Sequence, residues 1–539
     1  MKNITVLDCT LRDGAYITNS YFGEASIRGI INKMEEAGID IIECGWLKDS
    51  VHQSGSTFFH IPADIVPYLT TKDHNKTYVA MIDWNRYDID NLPQNNHESI
   101  DAIRVVFPHG NYKEGIAIGN KILHKGYKVY FQAANTLEYS DEDLIALANE
   151  VNLVDAEALS IVDTFGAMYP EDLDRIVTVL DEHLNRKVKL GFHSHNNQQL
   201  SFALSMEFAQ LVEKTKRQGI IDSFLCGMGR GAGNATTELI TSFLNKKYDA
   251  HYDLDSIMDA IDTYMEPYKA QYQWGYSTPN FIAGLYCCHV NNIAYLLDNH
   301  RTNAKQMRNI IETLSPEDRI KYDYNLLEEK YIKNKNYYID DTLDFNQLRA
   351  ELKRRKVLLV APGKLALDKQ NHIKEVIYQE NPVVIGVNAI LPGYDYDYLF
   401  FVNPARYEFA MMSYSEVFET TKHILLTTVK NTPSKNEYII CFDKAIKKGW
   451  KYFDNAVICA LRLLEKLEPE TVFIAGFDGF KSKYNESYAD ASLPSLNPDT
   501  DWNIINQEIF EMFSEYKMNS TLGDNIVFVT ESIFEGEQL

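Results

Sequence analysis

The residues best placed to do chemistry lie at the ends of short apolar runs. Gly191-Phe192-His193-Ser194-His195-Asn196-Asn197 carries a His-x-His pair. On a strand, residues two apart point the same way, so both imidazoles face one side, where a metal can take both nitrogens. Two satisfied polar residues are the plainer alternative. Leu7-Asp8-Cys9-Thr10-Leu11-Arg12-Asp13-Gly14 sets an arginine and an aspartate side by side beyond the first run, a pattern that also serves as a surface ion pair. If the strands close into a barrel, the first and seventh are separated only by the eighth, and Asp13 reaches the ion that His193 and His195 hold. Two imidazoles and a carboxylate form a facial set with open positions for water and a bidentate substrate. Without a thiolate, such donors favour Mn²⁺, Mg²⁺, Co²⁺ or Fe²⁺ over a structural Zn²⁺. The glycine-rich Gly227-Met228-Gly229-Arg230-Gly231-Ala232-Gly233-Asn234 can cradle a phosphate. It can equally bring the chain close to an ion, so that Asn234 offers its amide oxygen as a fourth ligand.

The elements that must position these residues alternate regularly over the first 250 residues. Strand candidates are Ile4–Cys9, Asp40–Trp46, Thr77–Ile82, Ile103–Phe107, Lys128–Ala133, Ala158–Asp163, Lys189–His195 and Ile221–Cys226. Segments with helical spacing of apolar positions lie between them, several ending in glycine (Gly38, Gly126, Gly219) as a helix C-cap would. Eight strand–helix units in this length match a (β/α)8 TIM barrel, although a doubly wound open sheet uses the same local pattern. From 251 to 350 the sequence reads as a helical extension and linker. Helices are expected at Leu254–Tyr264, Ile282–Leu297, Ala304–Leu314 and Leu326–Tyr331, with a polar linker over 333–345. From 351 to 539 the alternation resumes as a second, Rossmann-like α/β domain, with strands expected at Val357–Val360, Val383–Val387, Tyr398–Val402, Ile424–Leu426, Tyr438–Phe442, Val472–Ala475 and Ile526–Val529.

Composition bounds the function classes. The 539 residues are 45% hydrophobic and 24% charged, with 26 Phe and 34 Tyr, which describes a globular chain of more than one domain. A formal charge of −23 repels phosphate backbones and anionic lipid, so nucleic-acid and membrane partners are not expected. The start enters strand-like sequence at once, no apolar run is long enough to span a bilayer, and seven scattered cysteines suit a reducing compartment. A cytoplasmic location is expected. Cys9, Cys44 and Cys226 read as small core residues on barrel strands, and Cys287-Cys288 as part of an apolar helix. No Cys-x-x-Cys suggests an iron–sulfur or zinc centre.

Five motifs in order carry a resemblance. Thr10-Leu11-Arg12-Asp13-Gly14, Ile42-Glu43, Asp163-Thr164-Phe165-Gly166-Ala167-Met168, His193-Ser194-His195-Asn196 and Gly229-Arg230-Gly231-Ala232-Gly233-Asn234 resemble the DRE-TIM metallolyases. Within that superfamily, which includes 3-hydroxy-3-methylglutaryl-CoA lyase and the 2-isopropylmalate synthases, the chain is most similar to the 4-hydroxy-2-oxovalerate-type aldolases. The resemblance implies that Asp13, His193 and His195 ligate a divalent ion, Mn²⁺ or Mg²⁺ before Co²⁺ or Zn²⁺, with Asn234 as fourth ligand or its neighbour. It implies that Arg12 stabilises a pyruvate enolate and that Glu43 holds Arg12. Thr164 is a candidate donor to the pyruvate carboxylate, and His109, at the end of strand 4, a further substrate-binding or acid/base candidate. Where the aldolases carry a histidine as proton shuttle, this chain has Tyr16, whose phenol is a poor base at its ordinary pKa. Trp274-Gly275-Tyr276 resembles the aldolases' Gly-Tyr segment, which makes Tyr276 a substrate-facing candidate.

The expected function is therefore a metal-dependent aldolase joining or releasing a 2-oxoacid and an aldehyde, in a homo-oligomer. The alternatives are an acyl-CoA-dependent Claisen enzyme and a non-catalytic, nucleotide-responsive scaffold. In the second domain, Val357–Lys364, Ile385–Asn388, Phe401–Tyr407 and Ile474–Gly479 are polar strand ends, where open sheets bind ligands. They faintly resemble Rossmann-like domains of glycan-biosynthesis enzymes and pterin pyrophosphokinase-like proteins. A nucleotide or nucleotide-sugar is the expected ligand there, with surface-sugar biosynthesis as the implied setting. Neither the Gly-x-Gly-x-x-Gly fingerprint nor the P-loop spacing is present.

Overall fold

The computed structural model describes residues 3–70, 72–300, 302–335, 339–430, 432–481, 487–494 and 501–536. The chain divides into two units, one running to Ile293 and including Ser315–Tyr322, the other comprising Ala294–Leu314 and the chain from Asp323. The helical region between the two sheets is thus shared by both units.

In the first unit, β1 (Ile4–Asp8), β2 (Ile41–Leu47), β3 (Thr77–Asp83), β4 (Ala102–Phe107), β5 (Lys128–Ala133), β6 (Ala158–Asp163), β7 (Lys189–Ser194) and β8 (Gly219–Ser223) lie parallel in sequence order. β1 pairs with both β8 and β2, which closes the barrel. Six connecting helices follow the apolar spacing: α1 (Glu24–Glu36), α2 (Tyr112–His124), α3 (Asp141–Val151), α4 (Pro170–His183), α5 (Ser201–Thr215) and α6 (Thr237–Tyr248). In α1, for example, Ile27, Ile30, Ile31 and Met34 form the buried stripe.

Not all eight units contain an α-helix. Among the described residues, β2–β3 and β3–β4 are joined through 3₁₀ turns at Pro62–Tyr68 and Ile89–Asn91. Pro62, Pro67 and Pro93 remove the donors that a longer helix needs. Gly38 and Gly126 follow their helices with φ near +80° as expected, whereas the cap after α5 is Lys216 (φ 56°) and Gly219 opens β8.

The helix expected over Ile282–Leu297 is two helices, Thr278–Leu285 and Val290–Asn299, broken where Cys287 takes φ 48°. Cys287 and Cys288 therefore lie in a turn. Cys44 is on β2, but Cys9 and Cys226 lie just past β1 and β8. The stretch expected as a linker over 333–345 is partly helical, since Tyr324–Lys335 and Thr342–Leu352 flank it; residues 336–338 lie outside the described set.

The second unit holds a parallel sheet of β9 (Lys356–Val360), β10 (Val383–Val387), β11 (Tyr398–Phe401), β12 (Lys422–Leu426), β13 (Glu437–Ile440), β14 (Thr471–Ala475) and β15 (Ile526–Phe528). Their order is β13-β12-β11-β10-β9-β14-β15, a Rossmann-like arrangement that reverses direction between β9 and β14. No helix among the described residues is long and apolar enough to cross a membrane.

Candidate metal centre at the C-terminal mouth of the barrel

Period-two alternation builds the barrel interior in tiers. Ile41, Ala102, Tyr130, Ala158 and Ile220 belong to a buried apolar cluster. Two residues further along the same strands stand Glu43, Arg104, Gln132, Ser160 and Asp222, all buried. Arg104 is fully enclosed. It donates to Glu43 Oε2 at 3.0 Å, to Gln132 Oε1 at 2.8 Å, to Cys9 Sγ at 3.1 Å and to Asp222 Oδ2. Sequence reasoning missed Arg104, Gln132 and Asp222. The available signal was a lone charged residue inside Ile103-Arg104-Val105-Val106 and inside Ile220-Ile221-Asp222.

Above this tier, a one-turn helix, Thr10–Asp13, starts as soon as β1 ends. Asp8 shapes the turn by accepting from Thr10 N at 3.0 Å and from Thr237 Oγ1 at 2.8 Å; burial pushes its pKa up to about 6. Arg12 donates through Nε to Glu43 Oε2 and through Nη1 to Asp13 Oδ1, both at 2.8 Å, which leaves Nη2 to serve a ligand. Burial raises the pKa of Asp13, but Arg12, His195, His193 and Arg230 outweigh it and hold the carboxyl at about 2.

His193 and His195 leave β7 with ring centroids 5.1 Å apart. His193 Nδ1 lies 2.7 Å from Asp222 Oδ2, and His195 Nδ1 lies 2.8 Å from the carbonyl of Asp163. A carbonyl only accepts, so His195 Nδ1 carries the proton. Asp222 is held at about 2, since Arg104 and His193 outweigh its burial, and it too accepts. Both rings are therefore oriented from behind, with an Nε2 lone pair left over, as metal-ligating histidines are. Burial and the neighbouring His193 lower His195 to about 4, which keeps it neutral.

Asn234 pairs with His195 through an isolated bridge, and its Nδ2 donates to Asp13 Oδ2 at 2.7 Å and to Met228 O at 3.2 Å. Two acceptors on Nδ2 orient the amide, and Oδ1 is left buried with no hydrogen-bond partner among the described residues. Glycine is required beside it: a Cβ on Gly229 would stand 2.7 Å from Asp13 Oδ2 and 2.0 Å from Asn234 Nδ2. The structure thus brings Arg12, Asp13, Glu43, His193, His195 and Asn234 into one network.

Cys9, His193 and Asp222 also form a buried group of metal-ligating type, their donor atoms within 4.8 Å of one another. Arg104 already stands against two of the three, Cys9 Sγ and Asp222 Oδ2, and the His193 nitrogen that faces Asp222 is the hydrogen-bonded Nδ1. His193 Nε2, the nitrogen not engaged by Asp222, is left for a further partner, and the His195 ring stands beside it. Two guanidiniums, Arg12 and Arg104, face three carboxylates, Asp13, Glu43 and Asp222, all of them buried.

The other candidates fall in different places. Thr164 Oγ1 accepts from Asn135 N at 2.6 Å, which leaves its own proton to donate. Tyr16 packs edge-on to Trp46 with the Arg230 guanidinium 4.0 Å from its ring centroid, and burial raises its phenol further above neutral pH. His109 is not drawn into the network: it packs on Tyr139 and faces Asp143 at 3.5 Å. Tyr276 is 60% exposed, and its segment is tied to the glycine-rich turn by Trp274 and Gly275, which donate to Cys226 O and Gly231 O, each at 3.0 Å.

The HMGL-like family model matches residues 112–263. The chain is 27% identical to an oxaloacetate decarboxylase of Mycobacterium tuberculosis, over 47% of this chain and 74% of the relative. It is 26% identical to a 4-hydroxy-2-oxovalerate aldolase of Thermomicrobium roseum, over 50% and 75%. A homocitrate synthase of Methanocaldococcus jannaschii matches at 27%, over 47% and 62%. Among solved structures, the N-terminal domain of an aldolase candidate from Bacteroides vulgatus superposes with a TM-score of 0.49 at 26% identity, over 54% of this chain and 96% of that one. His193, His195 and Asn234 fall inside the matched stretch, and Arg12, Asp13 and Glu43 precede it.

Proposed function

We propose that the barrel makes or breaks a carbon–carbon bond between pyruvate, as its enolate, and an aldehyde. In this reading Asp13, His193 and His195 hold a divalent cation, and Asn234 Oδ1 completes the protein's donor set. The observation that carries it is the pair of tied-back imidazoles beside an ionised Asp13 and an unpartnered buried amide oxygen. Mixed nitrogen and oxygen donors suit Mn²⁺ or Mg²⁺. Bound there, the cation supplies a Lewis acid for the ketone and carboxylate oxygens of a 2-oxoacid.

The protein's own groups do the rest. Arg12, clamped by Glu43 and Asp13, presents Nη2 to the negative oxygen that develops as the enolate forms. Thr164 donates its hydroxyl to the pyruvate carboxylate. Tyr16 remains a phenol at neutral pH and serves as a hydrogen-bond donor to the aldehyde oxygen rather than as a base. The names of the aldolase and decarboxylase relatives both describe carbon–carbon cleavage in 2-oxoacids, which supports this substrate class.

Solvent exchange of the pyruvate methyl protons, followed by NMR in D₂O with Mn²⁺ or Mg²⁺, tests the reading. Metal-dependent exchange, with product formed from an aldehyde panel, is expected. Exchange coupled to acetyl-CoA consumption, without aldehyde turnover, would replace it with the Claisen reaction that the homocitrate synthase relative suggests. No exchange by metal-loaded protein would leave a barrel without this chemistry.

A further inference from the structure

The second unit contains a cavity of ≈ 780 Å³ at the carboxyl ends of its central strands. Its floor is made by Ala361, Pro362 and Gly363 after β9, Val387 and Asn388 at the end of β10, and Gly476, Phe477 and Asp478 after β14. This is the point where the strand order reverses, which is where open parallel sheets bind ligands. The backbones approach closely there: a Cβ on Gly476 (φ 74°) would stand 2.2 Å from Ala361 O, and one on Gly363 would stand 2.4 Å from Gly476 O. The volume lies within the range of small-molecule sites, about 300–1,000 Å³.

Arg406 decides the chemistry. It is 5% exposed, lines the cavity and packs with its guanidinium 4.8 Å from the Tyr488 ring centroid. Its Nη1 is buried without a partner, and its guanidinium forms no hydrogen bond or ion pair among the described residues. The Arg406 charge helps to lower the pKa of the nearby Asp490, but that carboxylate accepts its hydrogen bonds from Ser492 and Tyr414. A guanidinium taken from water without an ion-pair partner is costly, and a planar fork of donors matches phosphate oxygens.

Two helices start at the same cavity, α7 (Pro404–Ser413) and α8 (Ala456–Leu467). Asn403 and Asn455 cap their amides, so the helices add the positive ends of their dipoles while Arg406 supplies the donors. Lys305, Lys330 and Lys333 also line the cavity, together with the acidic Glu408, Asp454 and Asp478.

A second polar point lies at Asp478. Its Oδ2 accepts from Leu365 N at 2.8 Å, while Oδ1 is buried without a hydrogen-bond partner among the described residues. A carboxylate oxygen needs a donor, which sugar hydroxyls provide. Phe442, Phe477, Phe480 and Phe534 contribute apolar lining.

From this arrangement we infer that the second unit binds a phosphate ester of a sugar, either a nucleotide or a simple sugar phosphate, with phosphate at Arg406 and a hydroxyl at Asp478. Titration calorimetry on the full chain tests it with UDP, CMP, ATP, ribose 5-phosphate, glucose 6-phosphate and inorganic phosphate. At least one ester is expected to bind more tightly than inorganic phosphate. Arg406→Gln should weaken it by about tenfold or more, the loss of a charge-assisted pair. Lys305→Glu, on the exposed rim, should weaken it several-fold without touching the core. Tighter binding of nucleotides than of ribose 5-phosphate assigns the apolar lining to a base; the reverse assigns a sugar phosphate. The inference is overturned if no ester binds more tightly than inorganic phosphate, or if folded Arg406→Gln and Lys305→Glu both bind as the parent does.

Discussion

Arg104 in the barrel and Arg406 in the second unit are both guanidiniums withdrawn from water, yet their surroundings differ. Arg104 spans Glu43 and Asp222, which in turn hold Arg12 and His193, so its charge is part of the scaffold that orients these side chains. Arg406 has an aromatic ring beside it and no ion pair among the described residues. The contrast shows two ways in which a fold prepares a site. One neutralises the charge internally and orients the neighbouring side chains; the other leaves a guanidinium without a hydrogen-bonded partner among the described residues, beside a cavity.

The sharpest way to break this comparison is to replace each arginine with methionine. Arg104→Met strands Glu43 and Asp222 in the barrel and should destabilise the first unit by about 3–5 kcal/mol. Arg406→Met removes an unmet charge and should leave the second unit's unliganded stability unchanged or raised, as read by calorimetric unfolding of the two units. Equal losses would mean that Arg406 has a structural partner after all.

Arg12→Lys probes the site rather than the scaffold. It keeps the charge but loses the fork that spans Glu43, Asp13 and substrate, and turnover should fall by about 10²–10³-fold. Asp222→Asn leaves Arg104 in place but weakens the hold on His193 Nδ1. Metal affinity should drop by about 10- to 100-fold in an equilibrium titration.

The smallest expected effect concerns pH. Burial raises Asp478 to about 6 from an ordinary 3.8, so the folded second unit holds this proton longer than the unfolded chain does. Its contribution favours folding fully below pH 3.8 and is lost as pH rises through 6. Asp478→Asn should therefore gain stability relative to the parent at about pH 7 compared with about pH 4, seen as a shift in melting temperature.

Much of the barrel is legible in the sequence because its strands are short β-branched runs and its helices carry regular stripes. Closure is less so, since β1–β2 pairing depends on strand tilt and not on local pattern. Asp13, His193, His195 and Asn234 could be proposed as a set because strand periodicity turns both imidazoles one way, barrel order sets β1 near β7, and the family resemblance implies them as ligands. Arg104 and Asp222 were overlooked because each is a single charge within an apolar run, and only alternation across neighbouring strands reveals that they share a tier. His109 and Tyr276 followed from position at a strand end or in a motif, but loop direction decides where such side chains go. The break at Cys287 carries no glycine or proline to announce it, and tertiary contacts impose its positive φ. In the second unit, the polar strand ends were legible, whereas Arg406 became informative only once its lack of a partner was visible.

The central claim is that the cation lies between Asp13, His193 and His195. Mn²⁺ titration followed by EPR, on the parent, His195→Ala and Cys9→Ser, tests it most directly. The parent and Cys9→Ser should each bind one ion with similar affinity, and His195→Ala should lose it. Retention by His195→Ala together with loss in Cys9→Ser would place the ion on the opposite face of His193 and contradict the account.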